Sequence, residues 1–142
     1  MNKAILQPYI IFNGNCEEAM DFYQSILGGT LEISRFGDSP MEIPDEQKDK
    51  VMHAALQNDS LSFMASDSTP DMRSTVGNNV QLSLTGSGAA FLRESFAKLS
   101  VDGNVQSPLE KQFWGDEFGM LTDKFGIRWM INISATTSDE DE

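Results

Sequence analysis

The chain has 142 residues, of which 39% are hydrophobic and nine are Phe, so it can bury the core of one domain and is too apolar to be disordered. Its 22 acidic and 10 basic residues give a net charge of −12, which disfavours nucleic acid as a partner because an acidic surface repels phosphates. A single cysteine excludes an intrachain disulfide, and no apolar run is long enough to span a membrane, so we expect a cytoplasmic protein with no membrane partner.

The first predicted helix follows a short strand. Residues 9–12 form a β-branched and aromatic run that ends at the turn residues 13–15. Apolar residues then recur at helical spacing up to Leu27, and the two glycines that follow are typical of a helix end. Asn15 at the N-cap position and Glu18 three residues later predict a capping box.

Three further strands complete the first half of the chain. Their residues alternate or are rich in strand formers, and a polar loop, 37–50, separates the first strand from the other two. The predicted strands are 31–36, 51–57 and 61–66. In the second of them, Met52, Ala54 and Leu56 are expected to pack under the helix, which places His53 on the opposite face.

The second half repeats this order of elements. Residues 80–84 alternate strictly, and apolar residues then recur at helical spacing from Phe91 to Leu99. The remaining strands are predicted at 104–107, 118–122 and 127–133. Two consecutive β-α-β-β-β halves indicate an internal duplication.

The predicted strands share one face that is more polar than the other. Residues such as Phe63, Val80 and Trp129 occupy the apolar face and are expected to pack under the helices. The alternate positions carry Ser, Asn and Gln together with Met64 and Met130. Either this face meets bulk water, or it lines a cup that binds a ligand. The large thioether side chains favour the cup.

Seven residues are candidates for contacting a small organic ligand. They are His53, Met64, Asn79, Gln81, Trp114, Arg128 and Met130. His53, the only histidine, could be a general base or a hydrogen-bond donor, or it could bond a neighbouring strand or a dimer partner. Arg128 could pair with an anionic ligand group or with an acidic residue such as Asp67 or Asp116. Trp114 could stack on a planar ligand or pack under its own loop.

Two other residues have simpler interpretations. Cys16 lies at the start of the first helix, where a thiol can become reactive, but a lone cysteine in this place is more typical of inert packing. Asp123 is expected to hold the turn before the last strand.

Several motifs carry a family resemblance. They are 8–23, 51–54, 64–67, 114–119 and 123–131. Together they resemble the PhnB-like branch of the vicinal oxygen chelate superfamily, which includes glyoxalase I, extradiol dioxygenases, fosfomycin-modifying enzymes and bleomycin-binding proteins. The resemblance spans roughly residues 6–133.

The resemblance implies an α+β fold in which two paired β-α-β-β-β modules form a cup-shaped, eight-stranded glyoxalase-like domain, commonly in a homodimer. The modules would be about 6–66 and 79–133, within a single domain 1–134. Residues 135–142 would then form an acidic tail.

The superfamily's enzymes hold a divalent metal with His and Glu side chains from four strands. Carried over onto this sequence, those positions fall near Pro8, Met64, Asn79 and Met130, and none of these is a good metal ligand. This departure from the superfamily's pattern therefore disfavours a metal cofactor, although a divalent metal is still possible.

The leading hypothesis is that the protein binds a small organic molecule in its cup without a metal, and the acidic surface suits cationic guests. The alternative is a metal-dependent lyase, isomerase or dioxygenase of glyoxalase type, and a third possibility is an interaction protein whose cup is closed. Proteins of this branch are often named after demethylubiquinone methyltransferase, but no G-x-G-x-x-G motif stands between a strand and a helix. Whether the protein catalyses any reaction is left open by the sequence.

Overall fold

Two mixed four-stranded sheets hold the two halves of the chain. A computed structural model describes residues 4–135, and the chain divides into an N-terminal unit up to Thr75 and a C-terminal unit from Val76. Each unit has the order β-α-β-β-β, which confirms the predicted α+β class and the duplication. Residues 136–142 of the predicted acidic tail lie outside the described residues. Within residues 4–135, neither helix has the length and hydropathy that crossing a bilayer requires.

The N-terminal unit has its strands in the order β1-β4-β3-β2, with β1 parallel to β4 and the other pairs antiparallel. Its elements are β1 (Tyr9–Phe12), α1 (Cys16–Leu27), β2 (Thr30–Arg35), β3 (Val51–Gln57) and β4 (Ser62–Asp67). Helix α1 packs on one face of the sheet, where Tyr23 meets Phe63 edge to face at a ring-centroid distance of 5.9 Å. Among residues 4–75, α1 is the one α-helix, so the opposite face carries no α-helix of this unit.

The start of α1 differs from the sequence prediction. The Asn15 side chain makes no capping hydrogen bond, so the expected capping box does not form. Instead, the Asp67 carboxylate at the end of β4 accepts the N–H groups of Gly14 and Cys16 at 3.0 and 2.9 Å. A carboxylate near the first turn also suits the positive end of the helix dipole.

A bulge reverses the predicted alternation at the start of β3. Arg35 pairs with Val51 and Ser34 pairs with His53, so Met52 is an extra residue without a partner on β2. As a result Val51 is buried, with 1% of its surface exposed, whereas Met52 is only partly buried. The expectation that Met52 packs under the helix is therefore wrong, while Ala54 and Leu56 are buried as predicted.

The C-terminal unit repeats the arrangement with the strand order β5-β8-β7-β6. Its elements are β5 (Leu82–Gly86), α2 (Ala89–Leu99), β6 (Asn104–Lys111), β7 (Glu117–Thr122) and β8 (Arg128–Ile133). Strand β6 runs past its predicted end at residue 107 and includes Pro108, which is tolerated because β6 is an edge strand with register shifts around it. Val80 precedes β5 and is 76% exposed, so its predicted burial is wrong.

The buried residues of helix α2 match the predicted apolar stripe except at one position. Leu92, Ser95, Phe96 and Leu99 are buried at helical spacing, but Phe91 lies beside this stripe and is 46% exposed. The helix packs closely on β7, because a Cβ atom placed on Gly119 would lie 2.7 Å from the Phe96 ring. Only glycine fits the sheet at that point.

The turn before β8 is held as predicted. Asp123 accepts the N–H groups of Phe125 and Ile127 with one carboxylate oxygen, at 2.8 and 3.1 Å. Its other oxygen accepts the indole N–H of Trp129 at 2.9 Å, inside the core. This carboxylate therefore joins the turn to the buried side of β8.

Candidate functional site

The helix-free face of the N-terminal unit contains two of the predicted site residues, His53 and Met64. Tyr9 on β1 is the register partner of Met64 on β4, which in turn pairs with Ala55 on β3. His53 lies two positions before Ala55 on β3, so both residues are on the same face of the sheet.

A tyrosine accompanies His53 on this face. The Tyr9 hydroxyl lies 3.4 Å from His53 Nδ1, and the two rings are 5.9 Å apart at an angle of 45°. Tyr9 is not one of the predicted site residues. The alternation of Tyr9 and Ile11 with the more buried Ile10 and Phe12 would have placed it on the His53 face. The pair offers a ligand one phenol and one imidazole.

The helix-free face of the C-terminal unit is built in rows that run across its strands. In the central row, Met130 on β8 pairs with Ser83 on β5 and with Met120 on β7. Both methionines are partly buried, and helix α2 lies on the other side of the sheet, against Gly119 and Trp129. Met120 is not one of the predicted site residues, although the alternation of β7 around Gly119 points to it.

Trp114 lies in the loop between β6 and β7, close to one end of this face. Its ring is 6.4 Å from that of Phe118, whose register partner on β8 is Asn132. Trp114 is 51% exposed, so it does not simply pack under its loop, and its neighbour Phe113 is 98% exposed. The loop thus presents a large aromatic ring beside the row of Phe118 and Asn132.

Asp116 fixes the position of this loop. Its carboxylate accepts the side-chain N–H of Asn132 at 3.0 Å and the backbone N–H of Ala135 at 2.8 Å, and Trp114 donates a further side-chain hydrogen bond. The bond from Asn132, followed by those from Ala135 and Trp114, holds the pKa of Asp116 below its ordinary value. Asp116 therefore stays anionic at neutral pH and anchors Trp114 to β8.

Arg128 begins β8 at the other end of the face. Its register partner on β7 is Thr122, whose hydroxyl hydrogen-bonds the Gln106 side chain at 3.1 Å. The predicted alternative of an ion pair with Asp116 is not formed, because Asp116 lies beside Asn132, four positions along β8 from Arg128. Among residues 76–135, no carboxylate forms an ion pair with Arg128.

Gln81 and Asn79 precede β5. Leu82 is the parallel partner of Trp129, so Gln81 lies next to Arg128 at the edge of the ladder. The Gln81 Oε1 atom is buried and has no hydrogen-bond partner among residues 4–135. Asn79 is exposed. The C-terminal unit thus brings Gln81, Arg128, Met130 and Trp114 onto one face, and the predictions that these residues bind a ligand stay predictions.

The donor groups at the four positions carried over from the superfamily do not suit a divalent metal. Met64 and Met130 offer thioethers, Asn79 offers an amide and Pro8 offers no side-chain donor. No group of three or more His, Cys, Asp or Glu side chains close enough to hold a metal ion occurs in the described part of the chain.

Two proteins of known sequence or structure are similar to this chain over almost its whole length. Protein YjdN of Escherichia coli is 31% identical over 140 residues, which cover 90% of this chain and 94% of that protein. Protein PA1353 from Pseudomonas aeruginosa is 46% identical, and its crystal structure matches with a TM-score of 0.82 over 92% of this chain and 98% of that one.

More distant structures share the fold. The PhnB protein from Bacillus cereus is 27% identical, with a TM-score of 0.71 over 92% of this chain and 100% of that one. The fosfomycin resistance protein FosX from Mesorhizobium loti, at 8% identity, shares the fold with a TM-score of 0.58 over 99% of this chain and 98% of that one.

The sequence also matches the family described as 3-demethylubiquinone-9 3-methyltransferase over residues 4–132. Together with the structural neighbours, this match confirms the resemblance found in the sequence motifs. The chain belongs to this PhnB-like family, and it shares the fold of FosX and of a glyoxalase/bleomycin resistance protein/dioxygenase from Nocardioides.

Proposed function

We propose that the protein binds a small organic molecule on the helix-free face of the C-terminal unit. The observation that carries the proposal is the patch formed by Met120, Met130, Phe118 and the 51% exposed Trp114. Small-molecule sites combine such apolar and aromatic surface with a few polar groups, and Asn132, Ser83 and Arg128 border the patch. We propose that this face contacts the ligand's apolar part.

The N-terminal unit has a face of similar composition, which supports the proposal. There Tyr9, His53 and Met64 again combine aromatic, thioether and polar groups on the side of the sheet away from the helix. Because each unit has this composition on its helix-free face and an apolar core on the other, the pattern is a property of the duplicated module.

We propose that binding needs no metal. A glyoxalase-type reaction uses at least three protein donors around a divalent ion. The patch offers thioether, amide and hydroxyl groups, and thioethers bind hard or borderline divalent ions weakly. We therefore propose a binding function and do not propose a metal-dependent reaction.

We also propose that the protein forms a homodimer, as the resemblance implies. Sedimentation equilibrium would then give a mass twice the 15.7 kDa of one chain. A mass of one chain across the micromolar range would contradict this part of the proposal.

The binding proposal can be tested with four probes that share a ring and differ in charge. They are benzyl alcohol, benzyltrimethylammonium, benzoate and mandelate. A probe at a hundred times its Kd should stabilise the folded state by about 2.7 kcal/mol, which would raise the Tm by roughly 5–10 °C. The proposal fails if none of the four probes raises the Tm at any soluble concentration.

Trp114→Ala provides the site-specific test. Removing the exposed ring should weaken binding of the responding probe at least about tenfold, as measured by titration calorimetry. Phe91→Ala is the matched control, because Phe91 is also aromatic and about half exposed but lies on α2, on the other side of the sheet. Equal affinity of the Trp114→Ala variant and the wild type would place the site elsewhere.

A further inference from the structure

Arg128 stands out among the arginines of the structure. Arg35 is paired with Glu17 and Arg93 with Glu117, whereas Arg73 lies in an exposed loop. Arg128 is partly buried on a sheet face, and no carboxylate of residues 76–135 forms an ion pair or hydrogen bond with it. A partly buried cation without a partner loses hydration and gains little in return.

The lack of a carboxylate partner for Arg128 among residues 76–135 is not caused by a shortage of acids. The chain has 22 acidic residues against 10 basic ones. On the helix-free face of the C-terminal unit, the strand residue with a carboxylate is Glu110, opposite Phe118, and Phe118 lies four positions along β7 from Thr122, the partner of Arg128. Four positions along a strand correspond to ~13 Å. No strand residue in the row of Arg128 therefore carries a carboxylate on this face, although the chain is strongly acidic.

Gln81 adds a second unsatisfied group beside Arg128. Parallel pairing of Leu82 with Trp129 places Gln81 next to Arg128. The buried Gln81 Oε1 accepts no hydrogen bond from residues 4–135, and buried amide oxygens nearly always have a donor. A ligand hydroxyl or N–H group at this position would supply that donor.

We propose that Arg128 and Gln81 bind the polar end of a small organic carboxylic acid that carries a hydroxyl or amine next to its carboxylate. The planar guanidinium of Arg128 donates two parallel hydrogen bonds to the carboxylate, and Gln81 accepts the hydrogen bond of the neighbouring group. The apolar body of the acid then lies on Met130 and Met120, one row further along the sheet. This inference rests on the proposed binding function and differs from the expectation of a cationic guest, which considered only the net charge.

Three probes of matched shape test the carboxylate and the hydroxyl separately. Mandelate has both groups, methyl mandelate lacks the negative charge, and phenylacetate lacks the hydroxyl. By titration calorimetry, mandelate should bind the wild-type protein at least tenfold more tightly than methyl mandelate. It should bind at least about fivefold more tightly than phenylacetate.

Variants connect these differences to the two side chains. Arg128→Gln should weaken mandelate binding at least tenfold and leave methyl mandelate unchanged, and Arg128→Lys should give an intermediate affinity because it keeps the charge and loses the fork. Gln81→Leu should remove the preference for mandelate over phenylacetate. Arg73→Gln, which removes an exposed arginine, is the control for net charge and should change nothing.

The outcomes separate the two proposals. If benzyl alcohol or methyl mandelate binds in a way that depends on Trp114 but mandelate is not preferred, the carboxylate site is wrong and the binding function stands. The same conclusion holds if Arg128→Gln binds mandelate like the wild type. If no probe binds, the binding function fails and the carboxylate site fails with it.

Discussion

The Asp67 carboxylate accepts the backbone N–H of Cys16 at 2.9 Å, and the two residues lie 51 positions apart in the chain. The same carboxylate accepts the N–H groups of Gly14 at 3.0 Å and of Val51 at 2.9 Å. One side chain at the end of β4 therefore holds the start of α1 and the start of β3 at the bulge. This arrangement replaces the cap that Asn15 was predicted to provide.

Asp67→Ala is expected to destabilise the protein strongly. The substitution leaves buried N–H groups without an acceptor, and each unsatisfied group costs about 1–3 kcal/mol. We expect a loss of about 2–4 kcal/mol in the free energy of unfolding, measured by urea denaturation. Asp67→Asn should also destabilise, because its amide N–H₂ group cannot accept the hydrogen bond of one of the N–H groups now bound.

Asp21→Asn is the control for this prediction. Asp21 is an exposed acidic residue on α1, and its substitution should change the free energy of unfolding by less than about 0.5 kcal/mol. If Asp67→Ala costs no more than Asp21→Asn, the carboxylate does not have the structural role described above.

Cys16 is expected to be an unreactive thiol. It is fully buried, and burial, followed by the negative charges of Asp67 and Glu17, raises its pKa from 9.0 to about 12. Since the thiolate is the reactive form, a disulfide reagent at pH 8 should label the folded protein far more slowly than the unfolded protein. Rapid labelling of the folded protein would contradict the burial of this side chain.

The same raised pKa predicts a pH dependence of stability. In the unfolded chain the thiol ionises near pH 9, whereas in the folded state it stays neutral until about pH 12. The stability that comes from the neutral thiol is therefore complete below pH 9 and is lost as the pH rises toward 12, with a slope of up to about 1.4 kcal/mol per pH unit. Urea denaturation of Cys16→Ala should lack this part of the slope, and identical slopes in the variant and the wild type would contradict the prediction.

The sequence predicted the order of strands and helices correctly. It predicted the burial and the hydrogen-bond partners of individual side chains less well. Periodicity identified both helices and the four strands of each half, because the apolar positions of each element follow its own period. It failed at Met52, because a bulge depends on the pairing with β2 and leaves no mark in the alternation of β3. The capping pattern failed at Asn15, because the carboxylate that accepts the N–H groups at the start of α1 belongs to Asp67 on a distant strand.

The candidate site shows the same limit. Alternation placed Gln81, Arg128 and Met130 on one face, and their register partners confirm that placement. It could not show that Arg128 lacks an acidic partner among residues 76–135, since that depends on where Asp116 directs its carboxylate. The contact between Tyr9 and His53 was not predicted, because the two residues are 44 positions apart in the chain.

The two tryptophans should report on different environments. Trp129 is 2% exposed and donates its indole N–H to Asp123, whereas Trp114 is 51% exposed. In Trp114→Phe, the remaining Trp129 should emit at shorter wavelength and be poorly quenched by acrylamide. In Trp129→Phe, the remaining Trp114 should emit at longer wavelength and be quenched several times more strongly. Equal quenching of the two folded variants would contradict these exposures, and equal quenching after unfolding is the control.

Gly119 on β7 is expected to tolerate no side chain. A Cβ atom at this position would lie 2.7 Å from the Phe96 ring of α2 and 2.9 Å from the Cα atom of Leu109 on β6, so both the helix and the edge strand would have to move. Overpacking of this kind costs about 1–3 kcal/mol, and we expect Gly119→Ala to reduce the free energy of unfolding by that amount in urea denaturation.

Gly77→Ala is the matched control for this substitution. The nearest atom to a Cβ on Gly77 is the side-chain oxygen of Asn79 at 3.7 Å, an ordinary contact with an exposed side chain. The methyl group has room there and reduces the freedom of the unfolded chain, so stability should stay the same or rise by up to about 1 kcal/mol. Because both variants add one methyl group, their difference measures the packing of α2 on β7. If Gly119→Ala is as stable as Gly77→Ala, that packing is looser than the 2.7 Å approach to Phe96 indicates.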